Sequence, residues 1–141
     1  VHLLTERGIP VCGHVGLTPQ SVHKLGGYKV QGKDDHAADQ MIKEALILEE
    51  AGADLMVVEC VPSSLGGDLS AALNIPVIGI GAGPGTDGQV LVLQDMLGIS
   101  QRLPKFSKDF LKESNSVQDA ITAFGNEVRS GTFPAPEHSF K

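Results

Sequence analysis

Ala38, Met41, Ile42, Ala45 and Leu46 recur at spacings of three and four, which predicts one apolar face of an α-helix. Asp34 or Asp35 is placed to cap its start, and Gly52 to end it. The stretch Leu55-Met56-Val57-Val58-Glu59-Cys60 has no such period. Its continuous apolar character predicts a strand over 55–60, buried on both faces as in a parallel sheet. Leu65, Leu69, Ala72 and Leu73 predict a second helix that opens at Pro62, closes at Asn74 and is weakened by Gly66-Gly67. Residues 10–17 and 76–83 read as further strands, each entered through an Ile-Pro-Val step. Residues 89–94 suit a fourth strand or a helix running to Leu97. Ser116, Val117, Ala120, Ile121, Phe124 and Val128 predict a last helix, stopped by Gly131. The tail from Thr132, with its two prolines, reads as extended.

Strand, helix, strand, helix, strand is the order of an α/β fold with a parallel sheet. Half of a (β/α)8 barrel and a small open doubly wound sheet both satisfy it. The start, Val-His-Leu-Leu-Thr-Glu-Arg-Gly, reads as the tail of a helix entering a strand, as though cut from something longer. Residues 18–33 make a long glycine-rich connection whose Gly26-Gly27-Tyr28 suggests a shaped, functional loop.

Composition narrows the class. The 141 residues carry a formal charge of −6 with scattered basic residues, which disfavours nucleic acid or a membrane surface as partner. Lys105, Lys108 and Lys112 read as a solvated face. No apolar run approaches the ~18 residues of a membrane span, and no signal peptide opens the chain. Cys12 and Cys60 both fall in apolar runs; two buried thiols suggest a reducing compartment rather than a disulfide.

Ligands of parallel α/β folds meet the carboxyl ends of the strands. The first such end carries His14, the second Glu59, the third Gly81-Ala82-Gly83-Pro84-Gly85. A poorly hydrated Glu59 would have a raised pKa and could serve as a base near neutral pH. The plainer reading pairs it with a lysine or has it cap the next helix. His14 could orient a substrate oxygen or ligate a metal; the plainer reading is a satisfied histidine in a strand. Gly83-Pro84-Gly85-Thr86-Asp87-Gly88 matches the dinucleotide-binding pattern. Pro84 removes a donor, however, and no strand-end acidic residue follows at the right distance, so a tight turn that lets backbone approach a ligand fits better. No Cys/His cluster has zinc spacing.

Cys12-Gly13-His14-Val15-Gly16-Leu17-Thr18-Pro19-Gln20, the loop Gly26-Gly27-Tyr28-Lys29-Val30-Gln31-Gly32, and Val58-Glu59-Cys60-Val61-Pro62 together resemble segments of the ketopantoate hydroxymethyltransferase family. So do Ile78-Gly79-Ile80-Gly81-Ala82-Gly83 with Thr86-Asp87-Gly88-Gln89, Pro104-Lys105-Phe106, and Phe133-Pro134 with Glu137-His138-Ser139-Phe140. The resemblance implies a (β/α)8 TIM barrel of which residues 1–141 are the C-terminal half: about four parallel strands with helices, plus a C-terminal helix, as one partial domain. It implies hydroxymethyl transfer from 5,10-methylenetetrahydrofolate to 3-methyl-2-oxobutanoate, a keto acid, in pantothenate synthesis. Glu59 would be the catalytic base and His14 the substrate-side histidine. Mg²⁺ would be held by residues of the other half, so no metal ligand is expected here. A cytoplasmic homo-oligomer, a decamer, is implied as well. An inactive half barrel, and a related Mg²⁺-dependent carbon–carbon lyase, remain alternatives. For the folate pocket the loop 18–33 and the turn 83–88 are the candidates.

Overall fold

The computed structural model describes residues 1–141. Four strands form one parallel sheet in chain order: β1 (Cys12–Gly16), β2 (Leu55–Glu59), β3 (Val77–Ile80) and β4 (Gly88–Gln89). Consecutive strands that pair in sequence order, with helices between the first three, are the arrangement of an arc of an α/β barrel rather than of a doubly wound sheet, where the order reverses.

Ahead of β1, the short helix α1 (His2–Thr5) leads into a turn that closes at Gly8, whose φ is +72°. The helix α2 (Asp35–Glu50) starts where the capping pattern places it: the Asp34 carboxylate accepts from the Ala37 N–H at 2.9 Å. Its buried residues, Met41 and Ala45, belong to the face that the three-and-four spacing marks. The helix α3 (Ser63–Ala72) buries Leu65 and Leu69. Together with Met56, Val58 and Val77 they make the main core, on the helix side of the sheet. A smaller core gathers Met96, Phe110, Ala120 and Phe133 beneath the last helix, α5 (Val117–Ser130). Ser116 caps α5 by accepting from the Asp119 N–H, and Gly131 ends it in the left-handed conformation.

Several expectations need correction. β2 is not buried on both faces: Met56 and Val58 are sealed in the core, whereas Leu55, Val57 and Glu59 are only partly covered. The reason is that helices of this chain cover one side of the sheet only. Cys12 lies on that open side and is exposed, while Cys60 is buried; both are free thiols at opposite ends of the β1–β2 pair. The two readings of residues 89–94 each hold in part, because β4 is only two residues long and a short helix α4 (Leu93–Met96) follows. The tail makes a single 3-10 turn at Pro136–His138 instead of running extended throughout. Lys108 is no solvated residue. Its Nζ bonds Glu127 at 2.7 Å, with Glu113 at 3.6 Å, and these carboxylates hold its proton more tightly.

Gly66 is not simply a weak point of α3. A Cβ there would lie 2.1 Å from the Ala82 backbone oxygen, so its absence lets the helix lie against the end of β3. Gly67 faces open space. The neighbouring glycines therefore respond oppositely to alanine. Gly66→Ala is expected to destabilise by about 1–3 kcal/mol through overpacking. Gly67→Ala is expected to stabilise by about 0.4–1 kcal/mol through helix entropy. Urea unfolding of the two variants checks the contrast.

Candidate active site

The parallel register places Gly16 opposite Glu59 and His14 opposite Val57. Side chains two residues apart on a strand share a face, so His14 and Glu59 become diagonal neighbours on the open side of the sheet. They meet there: His14 Nε2 and Glu59 Oε2 are 3.1 Å apart. When Glu59 is ionised it can only accept, which puts the donated proton on Nε2. The plainer readings do not hold for Glu59, since its partner is a histidine and not a lysine, and it caps no helix.

Glycine at position 16 makes this approach feasible. Its φ is +88°, and a Cβ there would lie 2.2 Å from the Glu59 backbone oxygen. That oxygen instead accepts from the Leu17 N–H at 2.8 Å. Directly after Glu59 the chain turns at Cys60, the one non-glycine residue with positive φ, at 50°. Such a conformation costs about 1–2 kcal/mol for an L-residue. Two hydrogen bonds fasten it: Cys60 N–H donates to the Ile80 oxygen, and the Gln31 N–H donates to the Cys60 oxygen, both at 2.9 Å. The second brings the end of the loop 18–33 back over β2.

The Glu59 side chain is 12% exposed. Loss of water raises its pKa above the usual 4.5, and this outweighs the charge and hydrogen bond of His14, which lower it. The neighbouring Cys60 thiol is pushed up to about 12, first by burial and then by the Glu59 charge. It is a neutral, packed side chain and not a nucleophile.

A cavity of about 710 Å³ opens at the carboxyl ends of the strands, lined among others by Glu59, Ile80, Asp95, Phe106 and Phe140. Tyr28, Lys29 and Val30 also line it, so part of the long glycine-rich loop reaches the site. The glycine-rich turn at 83–88 does not. Its polar groups are used internally: Gln89 Nε2 donates to the Gly83 oxygen and to Thr86 Oγ1, and the Asp87 carboxylate accepts from the Val77 N–H and Ser70 Oγ. That turn fastens β3 to β4 and lines no part of this cavity. The amino end of α3 is likewise filled, since the Ser63 N–H and hydroxyl both donate to the Phe140 oxygen. His14 borders a separate opening of about 410 Å³ beside Glu44, Ile47 and Leu48. It joins the larger cavity only through Glu59. Sequence reasoning missed Asp95, Arg102 and Phe140 as cavity residues. They lie in irregular segments that have no periodicity to mark an inward face.

The pattern of ketopantoate hydroxymethyltransferase matches residues 1–136. This chain belongs to that family. It is 56% identical over 99% of its length to the 3-methyl-2-oxobutanoate hydroxymethyltransferase of Saccharophagus degradans. Identity to the proteins of the same name is 59% over 98% in Idiomarina loihiensis and 58% over 100% in Marinomonas sp.. The chain spans about half the length of the relatives it matches, 52% in each of these three. Ketopantoate hydroxymethyltransferases are TIM barrels, and the parallel four-strand arc fits that architecture. The Mg²⁺ that the family resemblance implies finds no site among these residues: no group of three or more His, Cys, Asp or Glu side chains is close enough to hold a metal ion.

The buried, fully protonated Cys60 should resist iodoacetamide at pH 8 in the native protein and react once denaturant is added. Peptide mass spectrometry reads the difference, and native labelling of Cys60 would show that the turn after β2 is open.

Proposed function

We propose that this chain carries the proton-abstracting part of an enzyme that moves a hydroxymethyl group from 5,10-methylenetetrahydrofolate to 3-methyl-2-oxobutanoate, in pantothenate synthesis. The observation that carries the reading is Glu59: a carboxylate largely withdrawn from water, raised in pKa, at the mouth of the large cavity and held by His14. Such a group is matched to taking a proton from the carbon beside a ketone near neutral pH. Glu59 takes that proton. The carbon left electron-rich attacks the folate methylene; the new carbon–carbon bond replaces one of its two carbon–nitrogen bonds, a hydroxyl from water replaces the other, and the protons lost by the keto acid and by water end on the two folate nitrogens. His14 keeps the carboxylate oriented by donating from Nε2, and its Nδ1 makes no hydrogen bond within the chain; in the imidazolium form that nitrogen also carries a proton and can donate to a substrate oxygen. Donors for Mg²⁺ come from outside residues 1–141 in this reading, and none of these steps is assigned to the ion.

The same reading makes the chain one half of a barrel that works only when complete. The half-covered Leu55 and Val57 on the open face of β2, and the unpaired outer edges of β1 and β4, favour it. A cytoplasmic homo-oligomer belongs to this proposal. No helix is long and apolar enough to cross a membrane, and light scattering of the complete protein tests the assembly.

In the complete barrel, Glu59→Gln should slow deuterium exchange into the keto acid by about 10²- to 10⁴-fold; exchange at the wild-type rate would place the base elsewhere. His14→Ala removes an interaction that lowers the Glu59 pKa. The acid limb of the exchange–pH profile, already above 4.5, should therefore move to higher pH. Raised in the fold, Glu59 favours the folded state most below its unfolded pKa, and that contribution fades as pH climbs through the folded value. Glu59→Gln should thus gain on the wild type in urea unfolding as pH rises from about 4.5.

A further inference from the structure

Asp95 is a buried carboxylate, 8% exposed, that the steps above do not use. It sits on α4 and lines the same cavity as Glu59. Its Oδ1 accepts from the Ser100 hydroxyl, whereas its Oδ2 takes no protein donor and Asp95 is in no ion pair. Oδ2 is not sealed in either, because the only fully enclosed side-chain oxygen or nitrogen without a partner is Ser107 Oγ. One hydroxyl is little compensation for a carboxylate withdrawn from water, and an ionised carboxylate has about four acceptor sites to fill. The cavity therefore presents an acceptor in want of N–H donors.

The rest of the lining limits what can bring them. Leu17, Val92, Phe106 and Phe140 make much of it apolar. Lys29, Arg102 and Lys105 also line it, all exposed and none within ion-pair distance of a carboxylate, in a chain whose net charge is −6; the Lys105 Nζ already donates to the Ser139 oxygen and lies over the Phe140 ring. A fitting ligand has a largely apolar body, adjacent N–H donors for Asp95 and negative charge for the exposed cations. The keto acid has no N–H to offer Asp95. A reduced pterin has two side by side, the ring N3–H and the 2-amino group, and in a folate its far end carries glutamate carboxylates. At about 710 Å³ the cavity falls in the range of pockets for ligands of drug-like size.

We propose that Asp95 is the residue that reads the pterin ring of the folate, accepting from N3–H and the 2-amino group, with Lys29, Arg102 and Lys105 meeting the anionic tail. The assignment deepens the proposed function and rests on it. The Asp95 acceptor supplies specificity because a ligand lacking the paired donors leaves a buried carboxylate unsatisfied. Asp95 does no proton transfer; it fixes the heterocycle so that the methylene carbon is turned toward the Glu59 side of the cavity.

The test uses the complete barrel and tetrahydrofolate, whose binding is measured by calorimetry without turnover. Asp95→Asn, which replaces an acceptor oxygen by a donor, should weaken tetrahydrofolate by about 10- to 100-fold. In steady state the KM for 5,10-methylenetetrahydrofolate should rise accordingly, with the keto acid KM moving far less. The wild-type protein should bind 2-desamino-tetrahydrofolate about 10- to 100-fold more weakly than tetrahydrofolate, an arm that needs no variant and stands if Asp95→Asn fails to fold. Equal binding of the two folates by the wild type, or unchanged affinity in a folded Asp95→Asn, overturns the assignment. Wild-type protein that exchanges deuterium into the keto acid yet binds no tetrahydrofolate overturns it too, and leaves Glu59 in place. Absence of exchange in the wild type overturns the functional reading instead; the binding arms still report on Asp95, since they need no chemistry.

Discussion

The contact between His14 and Glu59 depends on a register. Had β1 slipped by one residue against β2, His14 would point into the apolar core and Glu59 would be left on the open face without a partner. Gly16 holds the register at the point where it matters, because any side chain there would strike the Glu59 carbonyl. The strained Cys60 then stops β2 one residue past the carboxylate, and the loop 18–33 is bonded onto that turn. A stretch of backbone that is costly by itself is thus held by neighbours on both sides, a pattern that clusters at functional sites.

Electrostatics follow from the same placement. Glu59 belongs to a sheet whose other face is the sealed core, and it projects from the partly covered one. It loses enough water to raise its proton affinity yet keeps a cavity in front of it. A fully enclosed carboxylate would be neutral and unreachable; a fully exposed one would titrate like any surface glutamate. His14 moderates the shift without cancelling it. The second buried acid of the cavity, Asp95, stands in a different setting: one carboxylate oxygen accepts from the Ser100 hydroxyl and the other has no donor within the chain, which suits it to accept hydrogen bonds.

Much of this was readable along the chain, for definite reasons. Asp34 and Ser116 announce helix starts because a short oxygen-bearing side chain satisfies an orphan N–H within its own turn, which is a local matter. Met41, Ala45, Leu65 and Leu69 announce buried faces because helix periodicity is local too. Glu59 stood out as a charge at the end of an apolar run. Gly66 could not be read correctly: its reason is the Ala82 carbonyl, brought against it from the next strand. Cys12 misled because an apolar neighbourhood in sequence says nothing about whether a covering layer exists.

By itself the sequence determined the element order, the helix caps, the parallel α/β class and the family, since each rests on neighbours a few residues apart or on motifs read in order. Only the tertiary structure decided that His14 touches Glu59, that the 83–88 turn is closed on its own side chains while 28–30 reaches the cavity, and that Asp95 opens into the same space as Glu59. The first and last of those facts join residues 45 and 36 positions apart, through strand register and loop return. Hydrophobic patterning specifies which face of an element is buried but carries no information about which side chain from another element will meet it there.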